Sequence, residues 1–144
     1  MTHAPVIVAL DTNILIDLWN HTAQGQKNAV TLHALHSRKV QLVICGAVYV
    51  ELHAHPGLTR TLLLGELARL DIRPDLVTPS AVWNEAGRAH QDATARRRAS
   101  GNALPRRPLP DHLIGAHAQH RSDALLTPNT ADFSDFPALT VLPA

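Results

Sequence analysis

Val6-Ile7-Val8-Ala9-Leu10-Asp11-Thr12-Asn13-Ile14-Leu15-Ile16 sets three polar residues between two apolar runs. The first run, uninterrupted from Val6 to Leu10, has the composition of a strand buried on both faces, as inside a parallel sheet. An ionised carboxylate at its end is costly unless something there needs the charge. In open α/β sheets the carboxyl end of a strand is where ligands sit, so Asp11 is a site candidate by position alone.

The rest of the chain supports one domain over residues 1–144. At 144 residues and 45% hydrophobic it is long enough for a real core and too short for two comfortable ones. The formal net charge of +1 excludes a polybasic nucleic-acid coat, but the charge is unevenly placed. Between Glu85 and Arg107 lie six arginines (88, 96, 97, 98, 106, 107) against two acids, Glu85 and Asp92. That split suits an anionic ligand beside an acidic centre, and equally a solvated helix face. Cys45 is the one cysteine, so neither a disulfide nor a thiolate metal cluster is expected, and its setting is that of a small buried hydrophobe. No basic n-region precedes the first apolar run, and no apolar stretch nears the twenty or so residues of a membrane span. A soluble cytoplasmic protein, away from membranes, is the expectation.

Strand-like and helix-like segments alternate. Strands are expected at Val6–Leu10, Gln41–Ile44, Asp71–Arg73, Ala124–Thr127 and Thr140–Leu142. Helices are expected near 13–20, 27–37 (apolar side Val30, Leu32, Ala34, Leu35), 46–54, 58–70, 79–98 and 110–120. Thr78 is expected to cap the fifth helix with Pro79 in its first turn. Strands separated by helices predict an α/β fold, a parallel sheet with helices on both faces.

Four further positions extend the case of Asp11. Glu51 shares a helix face with Ala47 and Val48, which should point inward, where glutamate is rare; the alternative is a helix-edge glutamate paired with an arginine. Asp111 opens a helix after Pro110, where an acid also complements the helix dipole, yet it shares its face with the small and apolar Ile114, Gly115 and Ala118. Asn129 and Asp132 follow the strand ending at Thr127, where an Asx turn or a cap is the alternative. Asp17, Asp71, Asp75, Asp92, Asp123 and Asp135 are expected at the surface or in caps. Carboxylates crowded into one crevice raise each other's pKa. Mg²⁺ or Mn²⁺ removes that conflict, takes oxygen ligands, and supports phosphodiester hydrolysis by activating water.

In this order and approximate spacing, the phrases Leu10-Asp11-Thr12-Asn13-Ile14-Leu15, Val50-Glu51-Leu52, Asp111-His112-Leu113-Ile114-Gly115-Ala116-His117-Ala118 and Leu125-Leu126-Thr127-Pro128-Asn129-Thr130-Ala131-Asp132-Phe133 resemble PIN-domain ribonucleases. The likeness is nearest to VapC-type toxins of bacterial toxin–antitoxin pairs and spans nearly the whole chain, through Phe136-Pro137-Ala138-Leu139-Thr140-Val141. It implies a three-layer α/β/α sandwich with a central parallel sheet and Mg²⁺- or Mn²⁺-dependent endonucleolytic cleavage of RNA. By motif, Asp11, Glu51 and Asp111 carry over as metal-binding catalytic carboxylates. Asn129 and Asp132 compete for the last ligand position, with the full acid at Asp132. Thr12, Asn13 and Thr127 match positions that orient those carboxylates by hydrogen bonds. The resemblance further implies a homodimer and a cognate VapB-like antitoxin.

Arg96, Arg97, Arg98, Arg106 and Arg107 are candidate contacts to RNA phosphates. The ten histidines show no zinc-site spacing, and His112, His117 and His120 are expected to be surface or RNA-contacting residues. The five aromatic residues, Trp19, Tyr49, Trp83, Phe133 and Phe136, are expected in the core. Two rivals remain: a catalytically silent module of the same fold, and another Mg²⁺ phosphohydrolase, which would usually carry a second acid in the phrase Asp11-Thr12-Asn13.

Overall fold

A computed structural model describes residues 4–144. Five parallel strands, β1 (Ile7–Leu10), β2 (Gln41–Cys45), β3 (Ile72–Asp75), β4 (Ala124–Thr127) and β5 (Val141–Pro143), form one sheet in the order β3-β2-β1-β4-β5. Six helices cover it: α1 (Thr12–Trp19), α2 (Ala23–Ser37), α3 (Gly46–Leu52), α4 (Arg60–Arg69), α5 (Ser80–Ala99) and α6 (Leu109–Arg121). The result is the expected three-layer α/β/α arrangement. β1 is central and almost fully buried, as its unbroken apolar run requires. The chain leaves β1 for β2 on one side, while β4 flanks the other, so the order reverses at the carboxyl end of β1.

Several boundaries differ from the sequence expectations for identifiable reasons. Helix α2 begins at Ala23, earlier than expected, because the polar segment before it is a cap: Thr22 Oγ1 accepts the Gly25 N–H at 2.9 Å. Gly25 lies so close under α1 that a Cβ would stand 2.0 Å from the Asp17 carbonyl oxygen. Val30 and Ala34 of this helix face solvent, and its inner stripe is Gly25, Asn28 and Leu32. The fully buried Asn28 donates to the Ile14 carbonyl at 3.0 Å, tying α2 to α1. Pro79, not Thr78, is the N-cap of α5, and no side chain caps that end. Trp83 is 55% exposed rather than in the core, whereas Phe133 and Phe136 are buried.

The histidine expectation fails at two positions. His112 and His117 are buried on α6, and Asp75 and Asp135, expected at the surface or in caps, are buried as well. His117 Nε2 lies 2.9 Å from Asp75 Oδ2, and Arg121 grips the same carboxylate through Nε (2.9 Å) and Nη2 (3.1 Å). Asp135 receives Arg96 and stands 3.4 Å from His112 Nε2, whose ring faces that of His90. These clusters hold α6 to β3 on one side and to the segment after β4 on the other. Gly115 completes the fit: a Cβ there would meet the Phe136 ring at 2.3 Å. α6 therefore sits at one depth, and with it Asp111.

Candidate active site

Asp11 follows β1 directly and caps α1. Its Oδ1 accepts the Thr12 N–H at 2.8 Å, and its Oδ2 accepts the Thr127 hydroxyl at 2.8 Å. Thr127 ends β4, the strand beside β1, so register alone brings the two together. The site therefore opens at the point where strand order reverses. Burial pushes the Asp11 carboxyl up against the lowering effect of those two hydrogen bonds, and the Glu51 and Asp132 charges add to the rise.

The other acids arrive on separate elements. α3 contacts both α1 and α6, which carries Glu51 between Asp11 and Asp111. The Thr12 hydroxyl donates to Glu51 Oε1 at 2.6 Å, and Glu51 is half-buried, facing the crevice rather than an arginine. Asp111 lies in the first turn of α6, above the buried Ile114, Gly115 and Ala118. Its carboxyl is pushed up to about 6, first by burial and then by the charges of Asp11, Asp132 and Glu51, with Arg107 working the other way. Asp132 lies in a 3₁₀ turn, Thr130–Phe133, after β4. Asn129 precedes that turn; its N–H donates to Thr127 Oγ1 at 3.0 Å, its carbonyl accepts the Asp132 N–H at 3.1 Å, and its side chain is exposed. Asn13 is exposed, with no side-chain hydrogen bond among the described residues.

Four carboxylates from four segments thus lie within electrostatic reach of one another, and among the described residues Arg107 is the guanidinium paired with one of them. The donors are all oxygens, one guanidinium stands against four acids, and the Asp111 carboxyl is pushed up to about 6, a combination that fits a hard divalent cation. Among the described residues no three Asp, Glu, His or Cys side chains form a preformed metal cage. Mg²⁺ needs none, because it keeps waters and borrows substrate oxygens.

The arginines divide. Arg96 is held by Asp135, and Arg107 Nη1 donates to Asp132 Oδ1 at 2.8 Å. Arg97, Arg98, Arg106 and Arg107 line a cleft of about 490 Å³ beside the crevice, between α5 and the start of α6. The ion pair between Arg107 and Asp132 was invisible in the sequence, where the two lie 25 residues apart. The buried histidines did leave a signal in the sequence: Leu113, Ile114, Gly115, Ala116 and Ala118 surround them with small or apolar residues on several faces of α6, the mark of a helix enclosed on most sides.

Among the described residues no helix is long and apolar enough to cross a membrane. No curated protein sequence is significantly similar to the chain. Solved structures are. VapBC2 from Rickettsia felis, bound to a DNA fragment from its promoter, matches at 20% identity over 96% of this chain and 99% of that one, with a TM-score of 0.65. A toxin–antitoxin complex from Klebsiella pneumoniae matches at 25% identity over 94% and 95%, with a TM-score of 0.57. VapBC-1 from nontypeable Haemophilus influenzae matches at 21% identity over 96% and 98%, with a TM-score of 0.62. The model of the PIN domain family matches residues 8–139. With that match running from β1 to beyond the last carboxylate, the chain belongs to the PIN domain family.

Proposed function

We propose that the chain is an endoribonuclease that hydrolyses RNA phosphodiester bonds with Mg²⁺ or Mn²⁺, and that it acts as the toxin of a toxin–antitoxin pair. The observation that carries this reading is the set of acids itself: Glu51 and Asp132 raise the carboxyls of Asp11 and Asp111, Arg107 on Asp132 is the one guanidinium paired with the four among the described residues, and Asp111 is pushed up to about 6. Asp11, Glu51 and Asp111 would hold the ion, with Asp132 completing the set; Asn129, whose backbone is engaged in the turn, is the lesser candidate. When bound, such an ion lowers the pKa of a water and stabilises charge on the leaving oxygen.

The chain's own residues do the positioning. Thr127 and the Thr12 N–H fix both oxygens of Asp11, and the Thr12 hydroxyl fixes Glu51, so neither carboxylate must reorganise during reaction. Arg97, Arg98 and Arg106 offer a seat for RNA phosphates, which gives affinity without base choice. A VapB-like antitoxin and a homodimer are proposed from the family and from the toxin–antitoxin complexes among the similar structures.

Purified protein should cleave single-stranded RNA in Mg²⁺ or Mn²⁺, stop in EDTA, and lose activity in Asp11→Asn and Asp111→Asn with unchanged circular dichroism. Wild-type protein that folds but never cleaves would mark a silent binding module. Variants as active as wild type would remove these residues from the site.

A further inference from the structure

Arg107 stands on two surfaces at once. Toward the acidic crevice, its Nη1 donates to Asp132 Oδ1 at 2.8 Å and its Nη2 to the Ala131 carbonyl at 3.4 Å. Toward the other side it lines the arginine cleft with Arg97, Arg98 and Arg106. Those three have no carboxylate partner among the described residues: Arg97 Nη1 donates to Asn102 Oδ1 at 3.1 Å, and its buried Nε has no partner. A concave set of unpaired guanidiniums is a seat for phosphate oxygens, which match their planar forks. Among the described residues Arg107 is thus the one arginine of the cleft that is paired with an acid, and that acid is Asp132.

The commitment is weak. Both side chains are substantially exposed, at 29% and 36%, and an ion pair so close to water contributes little. Arg107 also lies in the segment between α5 and α6, which has no regular structure to hold it. A divalent ion arriving among the carboxylates takes over the neutralisation of Asp132 and repels the guanidinium. The nearest place where that guanidinium gains an anion is the cleft it already lines.

We propose that Arg107 is a switch cation: it neutralises Asp132 while the crevice holds no divalent ion, and moves to an RNA backbone phosphate in the arginine cleft once the ion binds. Ion and RNA then strengthen each other's binding by the same factor, as linkage requires. This inference rests on the proposed metal-dependent cleavage of RNA.

The test is Mn²⁺ affinity of the full chain, read by electron paramagnetic resonance, with and without a saturating phosphorothioate-linked RNA hexamer. Without RNA, Arg107→Gln should bind Mn²⁺ about fivefold more tightly than wild type, within the usual range of such coupling. With RNA the gap should close, because in wild type Arg107 has already left Asp132. Any direct bridge from RNA to the ion acts on both proteins and cancels in that comparison. Arg98→Gln, in the same cleft but away from Asp132, should weaken RNA binding and leave the affinity for Mn²⁺ alone at the wild-type value. A gap that persists unchanged with RNA makes Arg107 a fixed charge, and no gap at all means that the pair does not oppose the ion; either overturns the switch alone. Absence of any saturable Mn²⁺ binding that Asp11→Asn removes would overturn the metal reading itself, and the switch with it.

Discussion

Asp75 and Asp111 are both shielded aspartates near the carboxyl edge of one sheet, and their surroundings are opposite. Asp75 faces Arg121 and His117; the Arg121 hydrogen bond, outweighing burial, holds its carboxyl down to about 2. Asp111 faces Asp11, Glu51 and Asp132, and burial with like charge pushes it up to about 6. The two therefore respond to pH with opposite sign. Asp75, with a folded pKa below its unfolded 3.8, stabilises the fold above about pH 4, and this contribution is lost as pH falls through about 2. Asp111, with a folded pKa above 3.8, contributes fully only below about pH 4, and loses that contribution as pH rises through about 6. A carboxylate with matched cations holds elements of the fold together, whereas one set among other acids is, in the function proposed above, a ligand for a cation from outside.

The sharpest way to break this contrast is at Asp11. Asp11→Asn should lower RNA cleavage about a thousandfold, since a metal supplies several kcal/mol of transition-state stabilisation and each 1.4 kcal/mol is tenfold. A steady-state assay with Mn²⁺ measures it. On the structural side, Asp75→Asn should leave His117 and Arg121 without their anion and cost on the order of 2–3 kcal/mol, read from urea denaturation at pH 7. Gly115→Ala drives a methyl into Phe136 and should cost about 1–3 kcal/mol by the same method. It should also lower activity more than a surface substitution does, because Gly115 sets the depth of Asp111. Thr127→Val removes a hydrogen bond that orients Asp11 and should weaken Mn²⁺ binding about 10–100-fold with less effect on stability.

The same contrast explains what was legible in the chain. Asp11 could be read because its cue is local: a buried strand ending in a charge. Glu51 and Asp111 could be read because helix periodicity put them beside buried residues. Asp75 and Asp135 could not, because their partners lie 42 residues (His117) and 39 residues (Arg96) away, and only the fold shows that these charges are matched. Trp83 departs from expectation for a related reason: an aromatic residue says that burial is favourable, not that a surface exists to bury it. The start of α2 at Ala23 is not legible because polar residues before a helix look the same whether they form a loop or a cap.

The most direct measurement is chemical unfolding of wild type, Asp75→Asn and Asp111→Asn at pH 7, each with and without Mn²⁺. Without the ion, Asp75→Asn should be less stable than wild type. Asp111→Asn should be more stable, by on the order of 1 kcal/mol, less than its full pKa shift implies because the group is partly solvated. Mn²⁺ at about a hundredfold its Kd should then add about 2.7 kcal/mol to wild type and to Asp75→Asn but not to Asp111→Asn. An Asp111→Asn protein that is destabilised like Asp75→Asn, with the same response to Mn²⁺ as wild type, would contradict the claim that the crevice is a cation site in waiting.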